Sequence, residues 1–393
     1  MPTPVRRPEA WIPEQLERLE AQGLRRYLSV QPFGGSSGIP GNVINLASND
    51  YLGLARHPEV LRASILAMQQ YGAGAGASRL LTGTLPCHED LEIALADLKG
   101  MDSALVFGSG YAANVGILSA LVARGDHAFA DRLAHASLID GVRLSGATLH
   151  RFRHNDPDHL RRLLQSSPSQ GKRLVLTESV FSMDGDLSPL QEIAQAAREA
   201  GAMLLVDEAH ATGIFGPGGA GRVRELGLEN EVSLCMGTLS KALGSHGGFV
   251  ACSAPMRDWL IQRARSFFFS TALPPAAAGA ALGALDVLRS DPDAGRRLLS
   301  KAERFRDRLS RQGISTLNSR SAILPVPARA GQDVVRIARL LRDRGILVGA
   351  IRPPTVPPGT SRLRVSLSLL HKDADLDAAA DEIGAVIRAE DPA

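Results

Sequence analysis

Lysine is scarce in this chain. Of 44 basic residues only five are lysine, at positions 99, 172, 241, 301 and 372, and the rest are arginine. None of the five is followed by serine or threonine, so the phosphate-holding lysine of a nucleoside triphosphatase is missing, although "LLVDEAH" spells a helicase-like box. Cysteine is nearly as rare. Cys87, Cys235 and Cys252 form no C-x-x-C, and the last two sit in apolar runs, which points to buried free thiols in a reducing compartment rather than a disulfide framework. No uninterrupted apolar run is long enough to span a bilayer. The most hydrophobic stretch, Phe267 to Leu288, is broken by Pro274 and Pro275 and reads as a loop followed by an alanine-rich helix. The N-terminus "MPTPVRRPEAWIPEQ" lacks the apolar core of a signal peptide, so a cytoplasmic location is expected. The net charge is only +3, with arginines interleaved with acids on presumptive helix faces, which argues against a nucleic-acid partner.

A chain of 393 residues with 44% hydrophobic and 22% charged residues has the composition of a large globular protein. Residues 1 to about 30 suggest a charged amphipathic helix, which "PFGGSSGIPGN" then breaks. From about residue 100, short apolar runs alternate with helical segments. The runs are "ALVF" (104–107), "AFAD" (128–131), "TLHRF" (148–152), "RLVLTE" (173–178), "AMLLVD" (202–207), "VSLCMG" (232–237) and "GFVACS" (248–253). Such alternation predicts an α/β fold, a mostly parallel sheet covered by helices on both faces. After about residue 290 the texture becomes α+β. The expected organisation is an N-terminal segment (1–48) that joins a small C-terminal domain (291–393), around a large central α/β domain (49–290).

In parallel α/β sheets ligands bind beyond the carboxyl ends of the strands. The polar groups predicted there are "GSGY", "DRLAH", "ESVFSMDGD", "DEAH" and "GTLSK". Gly110 and Tyr111 open a helix straight after a strand and present free N–H groups suited to a phosphate. Thr238 and Ser240 flank Lys241 and can add hydroxyls. A lysine kept where arginine is the default cation suggests use of its amine, which can lose a proton and attack a carbonyl carbon. Lys241 therefore reads as a Schiff-base lysine for pyridoxal phosphate, with Asp207 as partner of the ring nitrogen. His210 is a candidate for the phenolic oxygen and His135 for the ring face. No metal is implied.

"SNDYLGL", "DRLAHASLIDG", "TESVFSMDGDLSPL", "VDEAHATGIFGPGGAG", "GTLSKALGSHGG" and "IRPPTVPPGTSRLRVSLS" together resemble the α-oxoamine synthases. These are fold-type-I pyridoxal-phosphate enzymes that condense an amino acid with an acyl thioester and lose carbon dioxide. The resemblance runs from about Leu24 to the last helix. "IRPPTVPPGTSRLR" and "FFFSTALPP" are most similar to the branch that joins L-alanine to a pimeloyl thioester, on coenzyme A or acyl carrier protein, in biotin biosynthesis. "HASLIDGVRL" is shared with the branch that uses glycine and an acetyl thioester, which stays open as the alternative. Carried over by position, the resemblance implies Lys241, His135 and Asp207 as catalytic. Gly110, Tyr111, Ser182, His210 and Thr238 would complete the cofactor site. Arg364 would bind the amino-acid carboxylate in a bidentate pair, with Thr355 and Arg25, or Arg26 after a one-residue shift, as further substrate contacts. Ser270 and Thr271 imply a contribution from a partner subunit, hence a homodimer.

Overall fold

The computed structural model describes residues 8–28, 30, 43–168, 170–328, 332–353 and 355–390. Twelve strands are formed among them. β1 (Ile44–Asn45) precedes the seven that build the central sheet: β2 (Ser103–Phe107), β3 (His127–Asp131), β4 (Thr148–Phe152), β5 (Arg173–Glu178), β6 (Met203–Asp207), β7 (Leu234–Thr238) and β8 (Gly248–Cys252). β9 (Ile323–Pro327), β10 (Ile346–Leu347), β11 (Gly349–Ile351) and β12 (Arg362–Ser366) follow.

The central sheet has the order β2-β8-β7-β6-β5-β3-β4, and β8 alone runs antiparallel to its neighbours. All but the edge strand β4 are largely apolar and buried because both faces are covered. Ala104, Val106, Phe129, Val175, Leu204 and Val206 enter one core, while Leu105, Ala128, Ala130, Leu174, Leu176 and Leu205 enter the other. The helices Gly110–Leu121 and Ala136–Ser145 pack on the second face. Pro86–Lys99, Leu190–Glu199 and Pro275–Ser290 pack on the first. Burying each large apolar side chain is worth about 1.5–3 kcal/mol, so the sheet is a rigid platform for what stands at its edge. The three cysteines are free and buried.

Beyond the sheet, β9, β12 and β11 form a separate antiparallel sheet, and β1 pairs in parallel with β10, so residues near 45 lie against residues near 347. The helices Ala294–Arg311 and Asp373–Ala389 pack against each other beside these strands. The N-terminal helix is shorter than its sequence suggests. It spans Trp11–Ala21 and stops at Gly23, whose φ of 63° is left-handed; residues 24–28 continue outside any helix. The expected break at 32–42 lies outside the described residues. No helix among those described is long and apolar enough to cross a membrane.

Candidate active site

Five strand ends converge on a small cavity of about 160 Å3, lined among others by Gly110, Tyr111, His135, Asp207, His210, Thr238 and Lys241. Asn114, Ser137 and Glu178 add polar groups to its wall; the first two were not singled out from the sequence, and Glu178 opens the strand end "ESVFSMDGD" without having been given a role. The helix after β2 starts at Gly110 with Ser109 as its cap, Ser109 Oγ accepting from Ala112 N–H at 3.1 Å. A Cβ on Gly248 would sit 2.6 Å from the Gly110 backbone, so the start of this helix presses directly on β8. His135 caps the helix after β3, its Nδ1 accepting from Ser137 N–H at 3.3 Å, which leaves Nε2 to carry the proton.

Asp207 ends β6 and is buried. Its Oδ2 accepts from Asn114 Nδ2 at 2.9 Å and its Oδ1 from Ala209 N–H at 2.9 Å. Lys241 Nζ lies 3.0 Å from His210 Nε2, and His210 Nδ1 lies 2.7 Å from the Tyr51 hydroxyl. Arg364 Nη2 in turn donates to Tyr51 Oη at 3.4 Å. The Tyr51 hydroxyl also reaches Asn49 Oδ1 at 3.2 Å, so when Lys241 is an ammonium it donates to His210 Nε2, His210 Nδ1–H donates to Tyr51 Oη and the Tyr51 proton goes to Asn49. Burial, then the charges of Lys241 and Arg364, hold the His210 pKa well below its ordinary value, so this imidazole is neutral. Burial also lowers Lys241 to about 8, with Asp207 and Glu178 opposing, so roughly a tenth of its amine is unprotonated at pH 7, far more than for an ordinary lysine. His135 is likewise lowered by burial.

Glu178 stands opposite Asp207 in the β5–β6 register, and burial followed by the Asp207 charge raises its pKa well above the usual carboxylate range. Its Oε2 accepts from Ser182 N–H at 3.2 Å, whereas Oε1 has no partner. Ser182 adds a carbonyl that accepts from Arg364 Nε at 2.7 Å. Arg364 Nη1 donates to Asn49 Oδ1 at 3.1 Å and Ser366 Oγ at 2.7 Å. Nη2 therefore carries the remaining free N–H, and a bidentate carboxylate grip would require one of the other bonds to open. The hydroxyls of Thr238 and Ser240 both point at the Gly247 carbonyl, at 2.8 and 3.2 Å, and brace the turn around Lys241.

The remaining expected residues lie elsewhere. Thr355 lines a different, larger cavity and accepts from Arg26 Nη2 at 3.1 Å. Arg25 lies over the Tyr27 ring with an ion pair to Glu20 and borders neither cavity. Ser270 and Thr271 are exposed. Among the described residues no group of His, Cys, Asp or Glu is arranged to hold a metal ion.

The pocket has the donor set that pyridoxal phosphate requires. It has one buried amine, one buried carboxylate on the sheet edge, a neutral imidazole and a helix start with free N–H groups. Asn114 Oδ1 and Glu178 Oε1, both buried and without partners, face the same space.

A profile of the aminotransferase class I and II family matches residues 41–383. A curated relative from Anaeromyxobacter dehalogenans, an 8-amino-7-oxononanoate synthase, is 47% identical over 382 residues, 96% of this chain and 95% of its own. Among solved structures, a serine palmitoyltransferase from S. paucimobilis with PLP–myriocin bound is similar at a TM-score of 0.90 and 33% identity, covering 97% of this chain and 98% of that one. An 8-amino-7-oxononanoate synthase from Francisella tularensis is similar at a TM-score of 0.77 and 28% identity, covering 88% and 98%. The chain therefore belongs to the class I and II aminotransferase family of pyridoxal-phosphate enzymes and, within it, to the α-oxoamine synthases.

Proposed function

We propose that this protein is a pyridoxal-phosphate-dependent acyltransferase that condenses L-alanine with a pimeloyl thioester, giving 8-amino-7-oxononanoate, carbon dioxide and the free thiol carrier, a step of biotin biosynthesis. The observation that carries the reading is the Lys241 amine, held 3.0 Å from a neutral His210 in the pocket that also contains Asp207 and His135. Near-full-length identity of 47% to a relative with that name supports the choice of reaction.

When bound, pyridoxal phosphate supplies an electron sink for the pair left on the amino acid's α-carbon. Lys241 would hold it, Asp207 would face its ring nitrogen and His135 its ring face. Gly110, Tyr111 and Thr238 would meet its phosphate end, and Ser182 and His210 its phenolic side. Arg364 binds the alanine carboxylate through Nη2 and fixes which α-bond is presented. Lys241, with its pKa near 8, takes the α-proton and later returns one. The α-carbon then forms a bond to the thioester carbonyl carbon, and the C–S bond breaks to release thiol. His135 Nε2–H donates to the carbonyl oxygen as negative charge gathers there. Loss of the original carboxyl group as carbon dioxide completes the exchange.

The reading includes a cytoplasmic homodimer in which the partner subunit's surface covers the exposed Ser270–Thr271 edge, and a small domain built from 1–48 and 291–393 around the 49–290 domain. Steady-state rates with L-alanine or glycine against pimeloyl-CoA or acetyl-CoA test it. Alanine with pimeloyl-CoA should give the highest kcat/KM, by about 10-fold or more over glycine, since one methyl group is worth only about 1–3 kcal/mol. A maximum with glycine and acetyl-CoA would replace the proposed substrates.

A further inference from the structure

The larger cavity, about 820 Å3, is walled by Arg26, Arg339, Arg342 and Arg352, and among the described residues no aspartate or glutamate lines it. Arginines on the surface of this chain are commonly answered by acids, and the helix Val334–Asp343 and its end show the contrast. Arg336, directed away, pairs with Glu390 at 3.1 Å, and Arg344 pairs with Glu382 at 2.9 Å. Arg339 and Arg342, one turn apart on the face that lines the cavity, have no carboxylate partner among the described residues. Arg352 donates to the carbonyls of Gly23 and Arg25, and Arg26 to the Thr355 hydroxyl, so these two guanidinium charges also meet only neutral groups. Four cations thus surround one solvent space of a size that suits a cofactor-sized ligand.

Two segments of chain connect the wall of this space to the catalytic residues. Asn45, Ala47 and Ser48 line it, and the same segment continues to Asn49 and Tyr51, which touch Arg364 and His210. Ala350 lines it too, and its neighbour Gly349 is the register partner of Arg364.

We propose that this cavity binds the phosphate-bearing end of the thioester carrier, whose acyl end reaches Lys241. The proposal rests on the acyl-transfer reading above. One acyl carboxylate cannot balance four guanidiniums. The phosphates of coenzyme A carry about four negative charges near neutral pH, and a phosphopantetheine arm on a carrier protein offers the same phosphate chemistry at lower charge. Arginine is suited to both, because its planar donors match phosphate oxygens.

The test uses the holoenzyme and its Arg339→Gln/Arg342→Gln variant, both positions being exposed and outside the catalytic pocket. Free coenzyme A and a phosphopantetheinylated carrier protein are titrated calorimetrically. Pimeloyl thioesters of coenzyme A and of N-acetylcysteamine, which has no phosphate, are compared in turnover. The proposal expects the variant to weaken coenzyme A or the carrier protein by about 10-fold or more, with a matching rise in KM and unchanged kcat, and no change with the N-acetylcysteamine thioester. Weakening of one carrier alone supports the proposal and identifies the phosphate source. Equal loss with both thioesters would mean that the arginines meet the acyl chain or support the fold, and would overturn it. So would unweakened binding of both carriers. The titrations need no turnover, so they read the cavity even if the amino acid or acyl group proves different.

Discussion

Replacing Asp207 with asparagine separates chemistry from folding at this site. Both carboxylate oxygens are occupied, Oδ2 by Asn114 Nδ2 and Oδ1 by Ala209 N–H, each at 2.9 Å. In Asp207→Asn the new amide keeps an acceptor for Ala209 and turns an NH2 toward Asn114. Asn114 can flip and meet it with Oδ1, which has no partner in the parent. The expected stability loss is about one hydrogen bond, ~1 kcal/mol. The chemical loss is much larger. Two unit charges about 4 Å apart at an effective dielectric constant near 20 interact by about 4 kcal/mol, which corresponds to roughly a thousandfold in rate when the ring nitrogen loses its anionic partner. The Lys241 amine is not the cause, because Asp207 holds the Lys241 pKa up and its removal leaves more free amine, not less. Exchange of the α-proton of L-alanine in D2O, followed by proton NMR, should slow by about that factor while the melting temperature moves little. Exchange within about tenfold of the parent would refute the assigned role.

Two further expectations concern stability. Lys99 is fully buried and donates to Glu208 at 2.7 Å, Thr212 at 2.8 Å and the Ala220 carbonyl at 2.8 Å. Lys99→Met leaves the Glu208 charge buried without its cation and should cost about 3–5 kcal/mol in denaturant unfolding, part of which a second change, Glu208→Gln, restores; an unchanged midpoint would contradict this. His154 sits between Asp131 at 2.9 Å and Asp186 at 2.8 Å, and against the lowering effect of burial these bonds raise its pKa to about 9. Its contribution, about 2–3 kcal/mol, is complete below the unfolded pKa of about 6.5 and is lost as pH rises toward 9. Urea midpoints should fall over that window, and His154→Gln should flatten the fall; parallel profiles would remove the clamp from the account.

The sheet was legible because most of its strands are buried on both faces and appear as apolar runs, whose ends coincide with β2 to β8 within about two residues; the edge strand β4, "TLHRF", is partly exposed and was readable only from its place in the alternation. The helix Pro58–Tyr71 was not. Leu61, Ile65, Leu66 and Met68 are exposed while Val60 and Ala67 are buried, so its apolar residues circle the helix and no 3.6-residue contrast marks an inner face. The catalytic residues that stand just past strand ends could be read from position and residue type. Glu178 was placed at a strand end but its role was not readable, because its significance lies in facing Asp207 across the β5–β6 register, which no linear spacing encodes. Tyr51 and Asn49 were hidden for the same reason: they reach Arg364 from more than 300 residues away in sequence. Lys99 ends a helix beside Gly100, the usual place of a solvated lysine, and only the fold turns it inward.

The most direct test of the account is the identity of the lysine that carries the cofactor. Borohydride reduction of the holoenzyme followed by peptide mapping fixes the phosphopyridoxyl group to whichever amine holds it. With five lysines in the chain the outcome is discrete. Modification of Lys241 alone is the predicted result, and the group on Lys99, Lys172, Lys301 or Lys372 would contradict it.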